Sequence, residues 1–136
     1  MIGIQWLERV DKEWLRRLIR HFAKPGAEFE LHCWNEETEA IALAASIAKP
    51  KETDWQRGVY FEGVITEDVI PVLKTMMDGE DCTPFFDILI GGDLVCEHWG
   101  TEIYILKTTL EDAEFRCLID EIADRASITE FVEENT

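Results

Sequence analysis

Between residues 10 and 23 the apolar positions recur every three or four places. Val10, Trp14, Leu15, Leu18, Ile19 and Phe22 share one helical face, and Arg9, Lys12, Arg16 and Arg20 lie on another. That period predicts an amphipathic helix over about 10–23, closed by Lys24-Pro25-Gly26. The next stretch, AEFELHCW (27–34), alternates Phe29, Leu31 and Cys33 against Glu28, Glu30 and His32, the period of a strand. Asn35 is then an N-cap candidate, with Glu36 and Glu37 in a first turn where the helix dipole favours anions, and an Ala- and Ile-rich helix runs to about Ala48. KPKETDWQRG (49–58) is polar, holds Pro50 and Gly58, and is expected to be an exposed loop.

A strand follows over 58–65. TEDVIPVLKTMMDG (66–79) predicts a helix that begins near Asp68, because Pro71 is tolerated only in a first turn, and that stops at Gly79. PFFDILI (84–90) and LVCEHW (94–99) flank Gly91-Gly92-Asp93, whose glycines suit a tight hairpin, so these two are expected as adjacent antiparallel strands. EIYILK (102–107) either extends the sheet or leads into the last helix. That helix is expected over 108–126, with Thr109 and Asp112 as a capping box and Phe115, Leu118, Ile119 and Ile122 on its apolar face. The acidic tail, about 127–136, is expected to fray.

After the first helix the order is β-α-β-α-β-β-α. A right-handed crossover followed by a hairpin gives an α/β fold with a mixed four-stranded sheet and an extra N-terminal helix. Thr83-Pro84, the apolar run FFDILI, the Gly91-Gly92-Asp93 hairpin, LVCEHW and Gly100 together resemble the proline loop and closing hairpin of the thioredoxin-like family. The leading helix ending in Lys24-Pro25 is similar to the start of the redox-inert thioredoxin-like half of bacterial alkyl hydroperoxide reductase flavoproteins and related tandem disulfide oxidoreductases. The resemblance spans roughly residues 10–126 and implies a cis Thr83–Pro84 bond. It also implies a peptide-gripping groove lined by Trp34, Asn35, Glu36, Glu37, Thr83 and Pro84.

The dithiol chemistry of that family has no residues here. The first strand-to-helix junction reads Cys33-Trp34-Asn35-Glu36-Glu37, with no second cysteine and with acids that disfavour a thiolate. Cys33 with Cys82 remains the one thiol pairing the expected fold brings close, and Cys96 and Cys117 are expected in the core. A zinc site from His32, Cys33, Cys96 and His98 has the right residue types but none of the paired-ligand spacings. Asp87, inside FFDILI, is either a buried acid or an outward-facing residue. His21 belongs to the basic helix and is expected to be solvated. No nucleotide, metalloprotease or hydrolase motif occurs, so no cofactor and no metal is expected.

Charge narrows the partner. The 136 residues carry a net −16, which repels nucleic acid and anionic membrane. Residues 1–24 carry six Lys/Arg and three acids, so the acidic charge is concentrated in the remainder. No apolar run reaches bilayer length and the first residues lack a cleavable leader pattern, so the expectation is a single soluble, cytoplasmic domain over 1–136. Its expected role is a non-catalytic protein-binding module, an adaptor or assembly chaperone that grips another protein through a basic surface or an extended peptide. Two other roles compete with it. One is an acidic inhibitor or immunity-type protein that masks a basic partner, and the other is a monothiol redox protein using Cys33 with Cys82.

Overall fold

The computed structural model describes residues 1–76, 84–107 and 113–131. Along them run β1 (Ile2–Trp6), α1 (Lys12–Phe22), β2 (Glu28–Trp34), α2 (Thr38–Ile47), β3 (Lys49–Lys51) and β4 (Gly58–Val64). Next come α3 (Val69–Met76), β5 (Asp87–Ile90), β6 (Leu94–Glu97), β7 (Glu102–Ile105), α4 (Ala113–Ile122) and β8 (Ala126–Glu130). All eight strands join one sheet in the order β3-β4-β2-β5-β6-β7-β1-β8, and every neighbouring pair is antiparallel.

This overturns the expected mixed four-stranded, thioredoxin-like sheet. The reason lies in where the crossovers land. Because all neighbours are antiparallel, β2 and β3 point the same way, as a helical crossover through α2 requires, yet β4 lies between them. In the same manner α3 joins β4 to β5 across β2, and α4 joins β7 to β8 across β1. The β-α-β units are real, but each is split by an intercalated strand, so no parallel pair forms. Three strands escaped the sequence reading. They are β1, β3, which falls inside the expected loop 49–58, and β8, which falls in the expected frayed tail and pairs with β1 from Ile2↔Glu130 to Trp6↔Ala126. Residues 102–105 are a strand that bridges β6 and β1.

The register sorts side chains onto two faces. One carries Ile4, Leu31, Phe61, Ile88, Cys96 and Ile103 in a single cross-strand row, all buried. α1 covers part of this face: Trp14, Leu15, Leu18 and Ile19 are buried, and Trp14 meets Trp6 edge-on with ring centroids 5.5 Å apart. Each such side chain contributes roughly 1.5–3 kcal/mol relative to exposure.

Asp11 caps α1 by accepting the Trp14 N–H at 3.0 Å, and its other oxygen accepts from Arg125 Nη2 at 2.7 Å. Burial opposes the charge on Asp11, but these bonds and the Arg125 guanidinium outweigh it and hold the carboxyl below its ordinary value. The Trp14 indole N–H donates to the Leu118 carbonyl at 2.8 Å and Arg17 pairs with Glu121, so the basic helix is fastened to α4. His21, placed among solvated residues by the sequence, is half-buried with its ring edge-on to Phe22 and Phe115. Among the described residues no helix is long and apolar enough to cross a membrane.

Candidate functional site

The second face of the sheet is polar, and its composition follows from the same alternation. On β2 the residues that do not point to the core are Glu28, Glu30, His32 and Trp34. β4 adds Tyr60 and Glu62, β5 adds Asp87 and Leu89, and β6 and β7 add Glu97, Glu102 and Tyr104. Six carboxylates therefore share this open face. Glu102, with burial and Glu97 behind it, holds the Tyr104 hydroxyl above the ordinary phenol value.

His32 occupies the middle of the face, flanked in register by Tyr60 and Asp87. It is only 6% exposed. Its ring stacks on Tyr60 with centroids 3.5 Å apart and planes 10° from parallel. Nδ1 donates to Asp87 Oδ2 at 2.8 Å, Nε2 donates to Glu30, and Glu30 in turn pairs with Lys51 from the edge strand β3. Burial works against charge on the ring, but the Asp87 and Glu30 carboxylates outweigh it and hold His32 above the ordinary imidazole value. Glu30 is held below the ordinary carboxyl value by Lys51 and His32, against its own burial. In the imidazolium form both ring nitrogens donate to carboxylates, so His32 acts as a strut and has no free nitrogen with which to take a proton from a substrate.

Past the end of this row stands a corner of aromatic rings. Trp34 meets Trp55 edge-on at 4.9 Å and Phe86 at 5.3 Å, and Phe86 meets Trp99 at 4.8 Å. Such edge-to-face pairs are favoured by the ring quadrupoles. Trp55 packs on Gly58, where any Cβ would fall 2.0 Å from Trp55 Cζ3 and 2.7 Å from the Cys33 carbonyl oxygen. Centroids this close leave the rings packed on one another with no cage between them.

Trp99 is 40% exposed. Its indole N–H donates to Glu37 Oε2 at 3.0 Å, while Glu37 Oε1 accepts the Trp34 N–H at 2.9 Å. Glu37 precedes α2 at the N-cap position yet makes no cap bond, because its carboxylate ties the start of the helix to the β6–β7 turn. In that turn His98 and Trp99 both have left-handed backbones, φ +52° and +57°, a conformation uncommon for non-glycine residues. The Trp99 N–H donates to the Phe86 carbonyl at 2.9 Å and the His98 N–H to Asp87 Oδ1 at 3.3 Å, which pins the turn to the residues leading into β5.

The expected groove residues are distributed differently. Trp34 and Glu37 belong to the aromatic corner. Asn35 is exposed and is not the helix cap; its Nδ2 donates to the Gln56 carbonyl at 3.0 Å and its N–H to the Arg57 carbonyl at 2.9 Å. Glu36 points to solvent and Pro84 is half-buried in the bend before β5, while Phe86, two residues on, is the one that reaches Trp34. Thr83 and Cys82 lie outside the described residues, as do the Thr83–Pro84 bond, the stop at Gly79 and the Thr109–Asp112 capping box.

Cys33 is wholly buried on the apolar face, and burial, with Glu37 adding to it, pushes its thiol up to about 12, far from a nucleophile's range. The four-residue zinc set is split, since His32 is on the open face and Cys33 and Cys96 are on the covered one. Cys96 is buried as expected, but Cys117 is exposed on α4 and not in the core. Asp87 resolves as an outward-facing residue bound to His32.

Sequence reasoning passed over Tyr60 and Phe86. Parity was the available signal for Tyr60, which alternates with Phe61 as His32 does with Leu31. Trp55 and Trp99 sit in loops, where no period marks them. No protein-family model matches the chain, and no curated protein or solved structure matches it.

Proposed function

We propose that the chain is a protein-binding module that docks a basic partner surface on the open face of its sheet, with the aromatic corner as the anchor. The observation that carries this reading is the meeting, on one surface, of six sheet carboxylates with a rigid aromatic cluster whose Trp99 is held partly in solvent by Glu37. Carboxylates on a broad face steer and align a cationic partner, and a pre-set tryptophan loses little conformational freedom on burial. Of the expected roles, the acidic inhibitor that masks a basic partner fits best, since it needs a charged face and no thioredoxin groove. Nucleophilic and acid–base chemistry gain no support from His32 or Cys33, the first locked by two carboxylates and the second held as a thiol.

Cross-linked capture of the partner from the source cell, followed by binding measurements with both proteins purified, tests this. The partner should present a basic surface, and affinity should fall at least tenfold between about 50 and 300 mM NaCl. Trp99→Ala should weaken the complex by about 2 kcal/mol, and Glu62→Lys should mainly slow association. If the partner is an enzyme, its loss of activity in the complex marks a masking inhibitor. A partner bound equally well by both variants would remove the open face from consideration.

A further inference from the structure

Glu97, the last residue of β6, and Glu102, the first of β7, are direct cross-strand partners on the open face. Like charges in that position repel. The β5–β6 register carries the row one step further to Asp87, so three carboxylates stand side by side. Asp87 is held by His32, while Lys51 is paired with Glu30, Lys107 with Asp93 at 3.6 Å, and Lys49 stands opposite Glu62 at the far edge.

The first residue of the turn that joins this acidic pair is a histidine. The left-handed backbone of His98 brings its imidazole back toward β7, with Nδ1 3.1 Å from Glu102 Oε2. The ring nitrogen and one oxygen from each of Glu97 and Glu102 all lie within 4.8 Å of one another. Around a Zn2+ ion with bonds of about 2.0–2.2 Å, neighbouring ligand atoms stand about 3.3 Å apart. The His98–Glu102 spacing of 3.1 Å is close to that, and the Glu97 oxygen lies within 4.8 Å of both.

We propose that Glu97, His98 and Glu102 form a divalent-cation site suited to a borderline metal such as Zn2+. One imidazole nitrogen with two carboxylate oxygens is a mixed donor set, whereas Mg2+ and Ca2+ are served by oxygen alone. Three protein ligands leave a fourth position open to water or to a partner's side chain. His32 takes no part, since both of its nitrogens are engaged. The site does not depend on the docking reading, and its test needs no partner.

The experiment is calorimetric titration of ZnCl2 into the chain carrying Cys82→Ser and Cys117→Ser, which removes the exposed Cys117 thiol, and the cysteine outside the described residues, as competing ligands. One ion should bind per chain, with a change in tryptophan fluorescence because Trp99 adjoins His98. His98→Asn, which keeps a residue tolerant of the left-handed backbone, and Glu102→Gln should each weaken binding at least tenfold. Glu62→Gln, on the same face but off the site, should leave it unchanged, and MgCl2 should bind at least tenfold more weakly than ZnCl2. Absence of saturable Zn2+ binding up to 1 mM, or binding that survives both His98→Asn and Glu102→Gln, overturns the site. Circular dichroism of the variants matching the parent shows that a loss reflects ligands and not folding.

Discussion

His32 lies between Asp87 and Glu30 with Tyr60 stacked on its ring, and removing it leaves two carboxylates close together in a half-buried setting. His32→Leu should therefore destabilise the protein by about 3 kcal/mol at pH 6, measured by urea unfolding. The pH dependence has a definite sign. The pKa of His32 is raised on folding above its ordinary 6.5, so its contribution is complete below that pH and is lost as pH rises through the folded value. Glu30 is depressed below its ordinary 4.5, so its contribution is complete above that pH and is lost as pH falls through the folded value. The strut is thus worth most between the two ordinary values, and the gap between wild type and His32→Leu should narrow from pH 6 to pH 9. A gap of constant size would mean that the residue acts by packing alone.

At the scale of elements, the aromatic corner depends on a glycine in β4. Gly58→Ala would drive a methyl group into Trp55 and toward the Cys33 carbonyl, so a loss of about 2 kcal/mol is expected, with collapse of the near-ultraviolet aromatic signal. Unchanged near-ultraviolet dichroism would show that Trp55 has another seat. The alternation of Phe29, Leu31 and Cys33 made β2 legible, and the Gly91-Gly92 turn, with φ of +59° and +68°, made the β5–β6 hairpin legible. α1 was legible from its apolar period.

The short edge strands were not. β3 is Lys-Pro-Lys, exposed throughout, with no apolar residue to mark a face, and β8 alternates over only five residues. Nor does a strand–helix–strand pattern state whether the returning strand lands beside the first or one place further off. That choice is made by which apolar faces meet at long range, so the local order suggested a mixed sheet where an antiparallel one forms. The open site suffered from the same gap, because Glu30, His32, Asp87 and Tyr60 become neighbours only once β2, β4 and β5 are adjacent.

For the whole molecule the governing quantity is the net charge of −16, which strains the folded state through self-repulsion even as specific pairs such as Arg125–Asp11 hold it. Raising NaCl from about 20 to 500 mM should screen the repulsion more than the short-range pairs, stabilising the protein by about 1 kcal/mol and raising Tm by about 3–5 °C in calorimetry. A fall in Tm would show that ion pairs outweigh the repulsion. The intercalated sheet has a further meaning for a chain made from its N-terminus onward. β1 is made before the other seven strands, yet its two partners are β7 and β8, about a hundred residues later. Until those emerge, the strand Ile2–Trp6 lacks both of its sheet neighbours, and its row of isoleucines and tryptophan is a sticky segment in the nascent chain. The first strand of this sheet in chain order is thus among the last to find its place, and it is the one that most needs shielding in the interval.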